Sequence, residues 1–392
     1  MSISWPYVAS HRTRSMTSLF AGAAISATGY LAVITVVPLI AEDVLGGPRW
    51  SGVPSAVAIL GTAFGTSALS AIMARHGRRR GLLVGYSVSA VAALIAAAAA
   101  ASSLLPLLAL AVFSIGAGYS ASRLTRYAAA DLYEPARQSS AIGWMVWAGT
   151  IGSVLGPMLL EPTRQVSEWL GIPESVGPFV LATITFGVSW LVLLVALPTR
   201  EVARMPVTAG TEPSVLSRPA RNALIALVVA QGVMVLIMTM TPIHVRAGGN
   251  GLATIGGVIA SHTFGMYALS PVSGFLSDRW GRIPVILAAT VIVAASGVLA
   301  ASATSLAVPL FLLGFGWNLA FVAGSALLTE STPESRRVRV QGLADTLSWT
   351  TAAVAGASSG VLLSEVGFAT LSYIGASIAL VPAIAIGLGR GR

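Results

Sequence analysis

The 392-residue sequence contains no cysteine, no lysine and few charged residues of any kind. Without cysteine the chain cannot form disulfides or zinc–thiolate sites, and it has no thiol nucleophile. Without lysine it lacks both a P-loop lysine and a Schiff-base lysine, so we expect no ATP hydrolysis and no enzyme activity. Charged residues make up 9% of the chain, whereas a soluble domain typically carries about 25%. A soluble globular protein is therefore excluded.

Apolar sequence dominates instead, with 55% hydrophobic residues and a mean hydropathy of +0.82. A helix needs roughly 20 apolar residues to cross a bilayer. The apolar runs accordingly predict an all-α membrane protein with twelve transmembrane helices. The predicted spans are 17–40, 51–74, 81–101, 103–122, 140–160, 178–198, 222–243, 251–276, 283–303, 304–327, 340–363 and 369–389.

The arginines are distributed unequally between the two sides of this topology. Only Arg49, Arg164 and Arg246 fall in loops on one side, and the other 20 fall on the opposite side. Because basic residues concentrate in cytoplasmic loops, this bias predicts that both termini are cytoplasmic. It also accounts for the net charge of +9, so we expect no nucleic-acid partner.

A polar segment divides the chain near its middle. Residues 199–221 contain Pro206, Pro213 and Pro219 among mixed charges, which is typical of a linker. We predict an N-terminal six-helix half at 1–198, a cytoplasmic linker at 199–221 and a C-terminal six-helix half at 222–392. Two pseudo-symmetric six-helix halves are the layout of a transporter that works by alternating access.

Two loops at equivalent positions of these halves share a pattern. Residues 274–282 read GFLSDRWGR after span 8, and residues 70–79 read SAIMARHGRR after span 2. Here the chain resembles the major facilitator superfamily, whose signature G-x-x-x-D-R-x-G-R-R lies between spans 2 and 3 and recurs between spans 8 and 9. The resemblance covers all twelve spans and implies the fold of that superfamily and a transport function.

In that family the motif holds the two halves together on the cytoplasmic side. The resemblance assigns this gate to residues of both copies, namely Asp278, Arg279, Gly281, Arg282, Arg75, Gly77 and Arg78. The first copy departs from the pattern, since Ser70 replaces the glycine and Ala74 the aspartate. We therefore expect an asymmetric gate, with simple anchoring by positive charge as the alternative for either loop.

Span 5 carries half of a second motif. This half-motif resembles the signature of exporting antiporters in the same superfamily, and it consists of Gly149, Gly152, Gly156 and Pro157. Small residues four apart also let helices approach closely in any membrane bundle, so close packing is the alternative explanation.

Ionisable residues inside the membrane are costly and point to function. The predicted spans contain His262 in span 8 and Asp345 near the start of span 11, and both are candidates for proton coupling. Drug exporters of this superfamily often keep an acidic residue deep in span 1 or span 4. Here Glu42 and Asp43 lie past the outer end of span 1, and Asp131 lies beyond span 4.

Two pairs of soft ligands lie in neighbouring spans. Met234 and Met238 are four residues apart in span 7, as are His262 and Met266 in span 8, so each pair shares one helix face. Thioether sulfur favours Cu(I), and neutral imidazole also binds copper. Met240 and His244 are candidate ligands at the outer end of span 7, with an ordinary loop histidine as the alternative for His244.

The two pairs in spans 7 and 8 resemble the copper-importing branch of the major facilitator superfamily, which supplies copper for cytochrome oxidase assembly in bacteria. The resemblance carries over to Met234, Met238, His262 and Met266. The resemblance implies Cu(I) import as the function and the bacterial inner (plasma) membrane as the location, with copper as substrate and no cofactor. Packing of the methionines and a hydrogen bond from His262 to a neighbouring helix are the alternatives. Proton-coupled export of drugs or small hydrophobic metabolites is the alternative function. We expect a monomer whose partners are membrane lipid and the transported copper ion or small molecule.

Overall fold

A computed structural model describes residues 5–45, 53–197, 216–249 and 252–388, and these residues form helices without any strand. The first part of the chain contains α1 (Trp5–Leu45), α2 (Val53–His76), α3 (Arg78–Ala101), α4 (Leu105–Ala130), α5 (Gln138–Met158), α6 (Leu160–Trp169) and α7 (Gly177–Ala196). The second part contains α8 (Arg218–Ala247), α9 (Leu252–Tyr267), α10 (Ser270–Trp280), α11 (Arg282–Ser302), α12 (Ala307–Glu330), α13 (Glu334–Ala379) and α14 (Val381–Gly387).

The described helices account for twelve membrane spans. Ten helical segments are long and apolar enough to cross a membrane. The last of them, Glu334–Gly387, holds two spans, because the chain turns at Gly367 with φ 77° inside α13. One further span consists of the two shorter helices α9 and α10. The predicted all-α membrane fold is therefore confirmed, and it suits a bilayer because helices satisfy their backbone hydrogen bonds internally.

Some predicted span boundaries need correction. Span 4 was expected to end at 122, but α4 continues to Ala130 and places Arg126 inside the helix, where it is buried. Span 7 was expected to begin at 222, but α8 begins at Arg218, because the hydroxyl of Ser217 accepts a hydrogen bond from Ala220 N at 3.3 Å. Most of the predicted linker, 199–221, lies outside the described residues.

Span 8 was predicted as one helix over 251–276, and that prediction is wrong. The helix is interrupted after Tyr267 and resumes at Ser270. Pro271 has no amide hydrogen, so the carbonyl of Tyr267 cannot receive the normal helical bond. The hydroxyl of Ser270 donates to that carbonyl at 2.6 Å instead. The amide of Asn318 on α12 donates to the carbonyl of Met266 at 2.6 Å, so the interruption is supported from the neighbouring helix.

Contacts divide the chain into two compact units. Unit 1 comprises Met1–Leu132 and Ala148–Ala209, and unit 2 comprises Tyr133–Trp147 and Gly210–Arg392. The first ten residues of α5 thus belong to unit 2 and the rest of α5 to unit 1. The halves inferred from the sequence, 1–198 and 222–392, stay a prediction.

Glycines permit the closest helix contacts inside each unit. In unit 1 a Cβ on Gly65 of α2 would lie 2.0 Å from the carbonyl oxygen of Ala117 on α4. In unit 2 a Cβ on Gly314 of α12 would lie 2.3 Å from the carbonyl oxygen of His262 on α9. Backbones at such distances exclude any side chain, so these positions fix α2 against α4 and α9 against α12.

Candidate functional site

The methionines proposed as copper ligands lie on α8 at different depths of burial. Met234 is buried and Met238, one turn later, is half-buried. Met240 is buried, whereas His244 is exposed and stacks on Phe368 with a centroid distance of 4.1 Å. His244 therefore has an aromatic contact that an ordinary histidine at a helix end would also make.

His262 is the most deeply buried of the candidate ligands, with 1% of its surface exposed. Its Nδ1 lies 2.9 Å from the carbonyl oxygen of Leu310 on α12. A carbonyl oxygen can only accept, so this contact requires a proton on Nδ1, and in the neutral imidazole Nε2 then keeps its lone pair. In the described part of the chain Nε2 is buried without a hydrogen-bond partner.

The other residue of this pair, Met266, is half-buried one turn beyond His262. Both residues belong to α9, which packs mainly against α12 and only slightly against α8. Among the described residues, histidine, aspartate and glutamate form no cluster of three or more that could hold a metal ion. The ligand set Met234, Met238, His262 and Met266 stays a prediction.

Unit 2 contains an aromatic group built around Trp317 of α12. Its ring stacks on Phe321 at a centroid distance of 4.7 Å, and Tyr267 of α9 meets it edge-on at 6.2 Å. The indole Nε1 donates to Oε1 of Gln231 on α8 at 2.8 Å. Sequence reasoning did not identify Gln231, because its spacing along α8 carries no motif.

Unit 1 contains a second aromatic group. Tyr30 of α1 and Tyr119 of α4 stack in parallel, with a centroid distance of 3.8 Å and an angle of 7° between the rings. Phe186 of α7 meets Tyr119 edge-on at 6.4 Å. Each unit thus contains a group of three aromatic rings on membrane-spanning helices, and most of these rings are buried.

Asp278, at the end of α10, binds the beginning of α5. Its carboxylate accepts hydrogen bonds from Ser139 N at 3.1 Å, Ser140 N at 2.8 Å and Ser140 Oγ at 2.6 Å. The first amides of a helix have no partners within the helix and carry a partial positive charge, so a carboxylate is well suited to this position. The expected gate residue Asp278 thus contacts α5, although sequence alone did not identify its partners.

Arg282 completes this cluster from the beginning of α11. It forms ion pairs with Asp278 at 3.2 Å and Glu330 at 3.3 Å, and it donates to the carbonyl oxygens of Ser277 and Pro135. Gly281 precedes it with φ 92°, a conformation that favours glycine. Arg279 is exposed.

The first copy of the motif has the same backbone but different contacts. Gly77 has φ 88°, and Arg78 then pairs with Asp131 at 2.5 Å, while Arg75 is exposed. Arg79 donates to the carbonyl oxygens of Leu194 and Leu197, which lie at the end of α7 and directly after it. These arginines therefore bind within unit 1, at a loop where Ala74 replaces the aspartate.

The sequence also singled out the half-motif of α5 and the candidate proton-coupling residue Asp345. A Cβ on Gly152 would lie 2.4 Å from Cβ of Ala27, and one on Gly156 would lie 2.9 Å from Cβ of Leu31, so the half-motif of α5 supports close packing against α1. Asp345 is buried near the beginning of α13.

Comparison with known proteins fits this architecture. The model of the Major Facilitator Superfamily matches residues 19–261 and 223–390. The uncharacterised MFS-type transporter YdeG of Bacillus subtilis is 33% identical over 96% of this chain and 91% of its own length. The riboflavin transporter RfnT of Brucella anthropi is 27% identical over 92% of each chain.

A solved structure shows the same fold. The proton:xylose symporter XylE superposes with a TM-score of 0.77 at 13% identity, covering 96% of this chain and 95% of its own. The sequence relatives and the family match extend over nearly the whole chain. The chain is a transporter and belongs to the Major Facilitator Superfamily.

Proposed function

We propose that this transporter carries a planar aromatic molecule of the flavin class across the membrane by alternating access. The observation that carries the proposal is the contact between Gln231 and Trp317 inside the aromatic group of unit 2. Trp317 fixes the amide oxygen of Gln231, which leaves the amide NH₂ as a donor for a substrate. The half-buried ring of Tyr267 beside such a donor suits a flat ring system with carbonyl oxygens.

One relative supports the same substrate class. RfnT is named a riboflavin transporter and matches this chain over 92% of its length. Riboflavin has a planar three-ring system with two carbonyl groups and no net charge at neutral pH. A neutral substrate fits predicted spans whose candidate proton-coupling residues are only His262 and Asp345, although α4 also carries Arg126 beyond the predicted end of span 4.

The test is riboflavin uptake into phosphatidylcholine proteoliposomes that contain the purified protein. We expect saturable uptake by the unchanged protein and about tenfold less uptake by Gln231→Leu, because loss of one buried hydrogen bond costs on the order of 1–1.5 kcal/mol. Trp144→Phe is the matched control, since Trp144 is exposed and pairs only with Trp147 among the aromatic contacts described. Melting temperatures in detergent establish that both variants fold.

Two results would overturn this proposal. Riboflavin uptake no greater than in protein-free liposomes would exclude the flavin class. Equal uptake by Gln231→Leu and the unchanged protein would remove Gln231 from the site.

An imposed pH gradient that drives accumulation, and loses its effect in Asp345→Asn or His262→Gln, would assign proton coupling to those residues.

Cu(I) is a second candidate substrate because of one specific feature, the buried Nε2 of His262. A carbonyl that holds Nδ1–H, as that of Leu310 does, is a common way to orient an imidazole towards a metal. Met234 and Met266 would supply soft sulfur ligands. Import would be favoured by about 2.3 kcal/mol per charge per 100 mV of membrane potential, negative inside.

Copper uptake in the presence of ascorbate distinguishes the two candidates. Leucine keeps the volume and apolar character of methionine but removes the sulfur. We expect Met234→Leu, Met266→Leu and His262→Ala each to lose copper uptake if copper is the substrate, with riboflavin uptake absent in the unchanged protein. Copper uptake at the unchanged level in both leucine variants would exclude copper.

A further inference from the structure

The short helix α6, Leu160–Trp169, presents three different faces. One face packs against the beginning of α7, where a Cβ on Gly177 would lie 2.7 Å from the carbonyl oxygen of Thr163 and 2.8 Å from Oγ of Ser167. A second face is exposed and polar. It carries Glu161, Arg164, Gln165 and Glu168.

The third face of α6 is exposed and apolar. Pro162, Val166 and Trp169 recur at positions i, i+4 and i+7, so they lie on one side of the helix, and Leu170 follows at its end. Trp169 is 83% exposed, the largest exposed fraction among the large hydrophobic side chains described. An indole left uncovered in this way calls for a partner outside the polypeptide.

Ion pairs on the polar face of α6 connect the helix to the turn that leads into α7. Arg164 binds both carboxylate oxygens of Glu161, at 2.9 and 2.7 Å, and also contacts Glu168. It reaches Glu174 at 3.9 Å, on the turn that leads into α7. The hydrogen bonds from Arg164 lower the pKa of Glu161 to about 2, so this carboxylate stays ionised at physiological pH.

The apolar face of α6 continues a surface that already meets lipid. α6 follows α5 after a single residue, Leu159, and the last turn of α5 leaves Val154, Leu155 and Met158 exposed. Exposed apolar side chains on a membrane-spanning helix face acyl chains. The apolar face of α6 therefore begins where the lipid-facing surface of α5 ends.

We propose that α6 lies in the membrane interface, with Trp169 and Val166 inserted at the boundary between lipid headgroups and acyl chains. Tryptophan is enriched at this depth because its ring is apolar and its N–H is polar. Amphipathic helices bind there through their apolar face while the charged face stays in water. The exposed polar side of α6 and Glu174 together carry three carboxylates and one guanidinium, so the partner is a surface of zwitterionic rather than anionic lipid.

The absence of cysteine makes a direct test straightforward. Single-cysteine variants are spin-labelled in phosphatidylcholine nanodiscs. Val166→Cys lies on the apolar face and keeps Trp169 in place, and Gln165→Cys lies about 100° away on the polar face. Collision rates are measured with oxygen, which concentrates in lipid, and with a water-soluble nickel chelate. We expect the ratio of oxygen to nickel collisions to be at least fivefold higher at 166 than at 165, with an unchanged melting temperature in both variants.

Two outcomes would overturn the proposal. High nickel and low oxygen collision rates at both 166 and 165 would place both faces in water. Low collision rates with both reagents at 166 would show that protein, such as a second copy of the chain, covers the face. Repeating the measurement with phosphatidylglycerol tests the charge argument, since stronger insertion in anionic lipid would contradict a preference for zwitterionic headgroups.

Discussion

Among single residues, Asp278 combines two kinds of interaction. It binds the unpaired amides at the beginning of α5 and also the guanidinium of Arg282. Its side chain is only 11% exposed, so water cannot replace these partners. By contrast, Glu330 pairs with the same arginine but is 43% exposed. The two carboxylates therefore differ in environment, although they share a partner.

We expect Asp278→Asn to lower the free energy of unfolding by about 1–3 kcal/mol. The amide NH₂ of asparagine faces donors where the carboxylate had accepted, so at least one buried polar group loses its partner. The measurement is the thermal midpoint of unfolding in detergent, monitored by circular dichroism.

Glu330→Gln is the matched control for that experiment. It removes the negative charge that pairs with Arg282, but an ion pair with an exposed carboxylate contributes only about 0–1 kcal/mol. A shift in Glu330→Gln as large as that in Asp278→Asn would show that loss of charge, rather than the contact with α5, causes the effect.

Whole helices in this protein are positioned by glycines as much as by large side chains. α10 approaches α5 so closely that a Cβ on Gly274 would lie 2.6 Å from the carbonyl oxygen of Ser139 and 2.7 Å from Cα of Ser140. Both obstacles belong to the backbone, which cannot move aside as a flexible side chain can. The contact of Asp278 with α5 depends on this approach.

Gly274→Ala should therefore destabilise the packing of α5 on α10 by about 1–3 kcal/mol, as expected for an overpacked contact. Gly187→Ala is the control, because a Cβ at Gly187, in the middle of α7, would meet nothing within 4 Å. Thermal midpoints of the two variants are compared. An equal midpoint in both would mean that α10 can shift away from α5 at no cost.

For the molecule as a whole, the arginine distribution predicts which side of the membrane each loop faces. In the cysteine-free chain, Gly210→Cys should react with a membrane-impermeant maleimide only from the cytoplasmic side, because residue 210 lies in the predicted linker. Gln165→Cys on α6 should react only from outside. Labelling of residue 210 from outside in intact cells would reverse the predicted topology.

The sequence was sufficient to predict twelve spans, because these depend on local composition, and the role of the motif at residues 274–282 stays a prediction. It could not identify the partners of Asp278, since Ser139 and Ser140 are more than 130 residues away and carry no motif of their own. The interruption of span 8 had a local signal, Pro271, but the hydrophobic run across it obscured that signal. The support from Asn318 is a long-range contact that only the fold reveals.

The amphipathic face of α6 was also present in the sequence, in the spacing of Pro162, Val166 and Trp169. A search for long apolar spans overlooks it, because a helix of ten residues is too short to cross a bilayer. Short helices at the ends of spans need a separate search for one-sided apolar spacing.

The turn inside α13 has a mechanical consequence. Residues 334–366 form a helical arm of about 50 Å, longer than the roughly 30 Å hydrocarbon core, and the next arm begins directly after Gly367. Two rods joined at a single residue have no slack between them, so a displacement of one arm at Gly367 must also move the beginning of the other. We expect a peptide tag inserted at Gly367 to separate the two arms. It should lower the melting temperature far more than the same tag at residue 210.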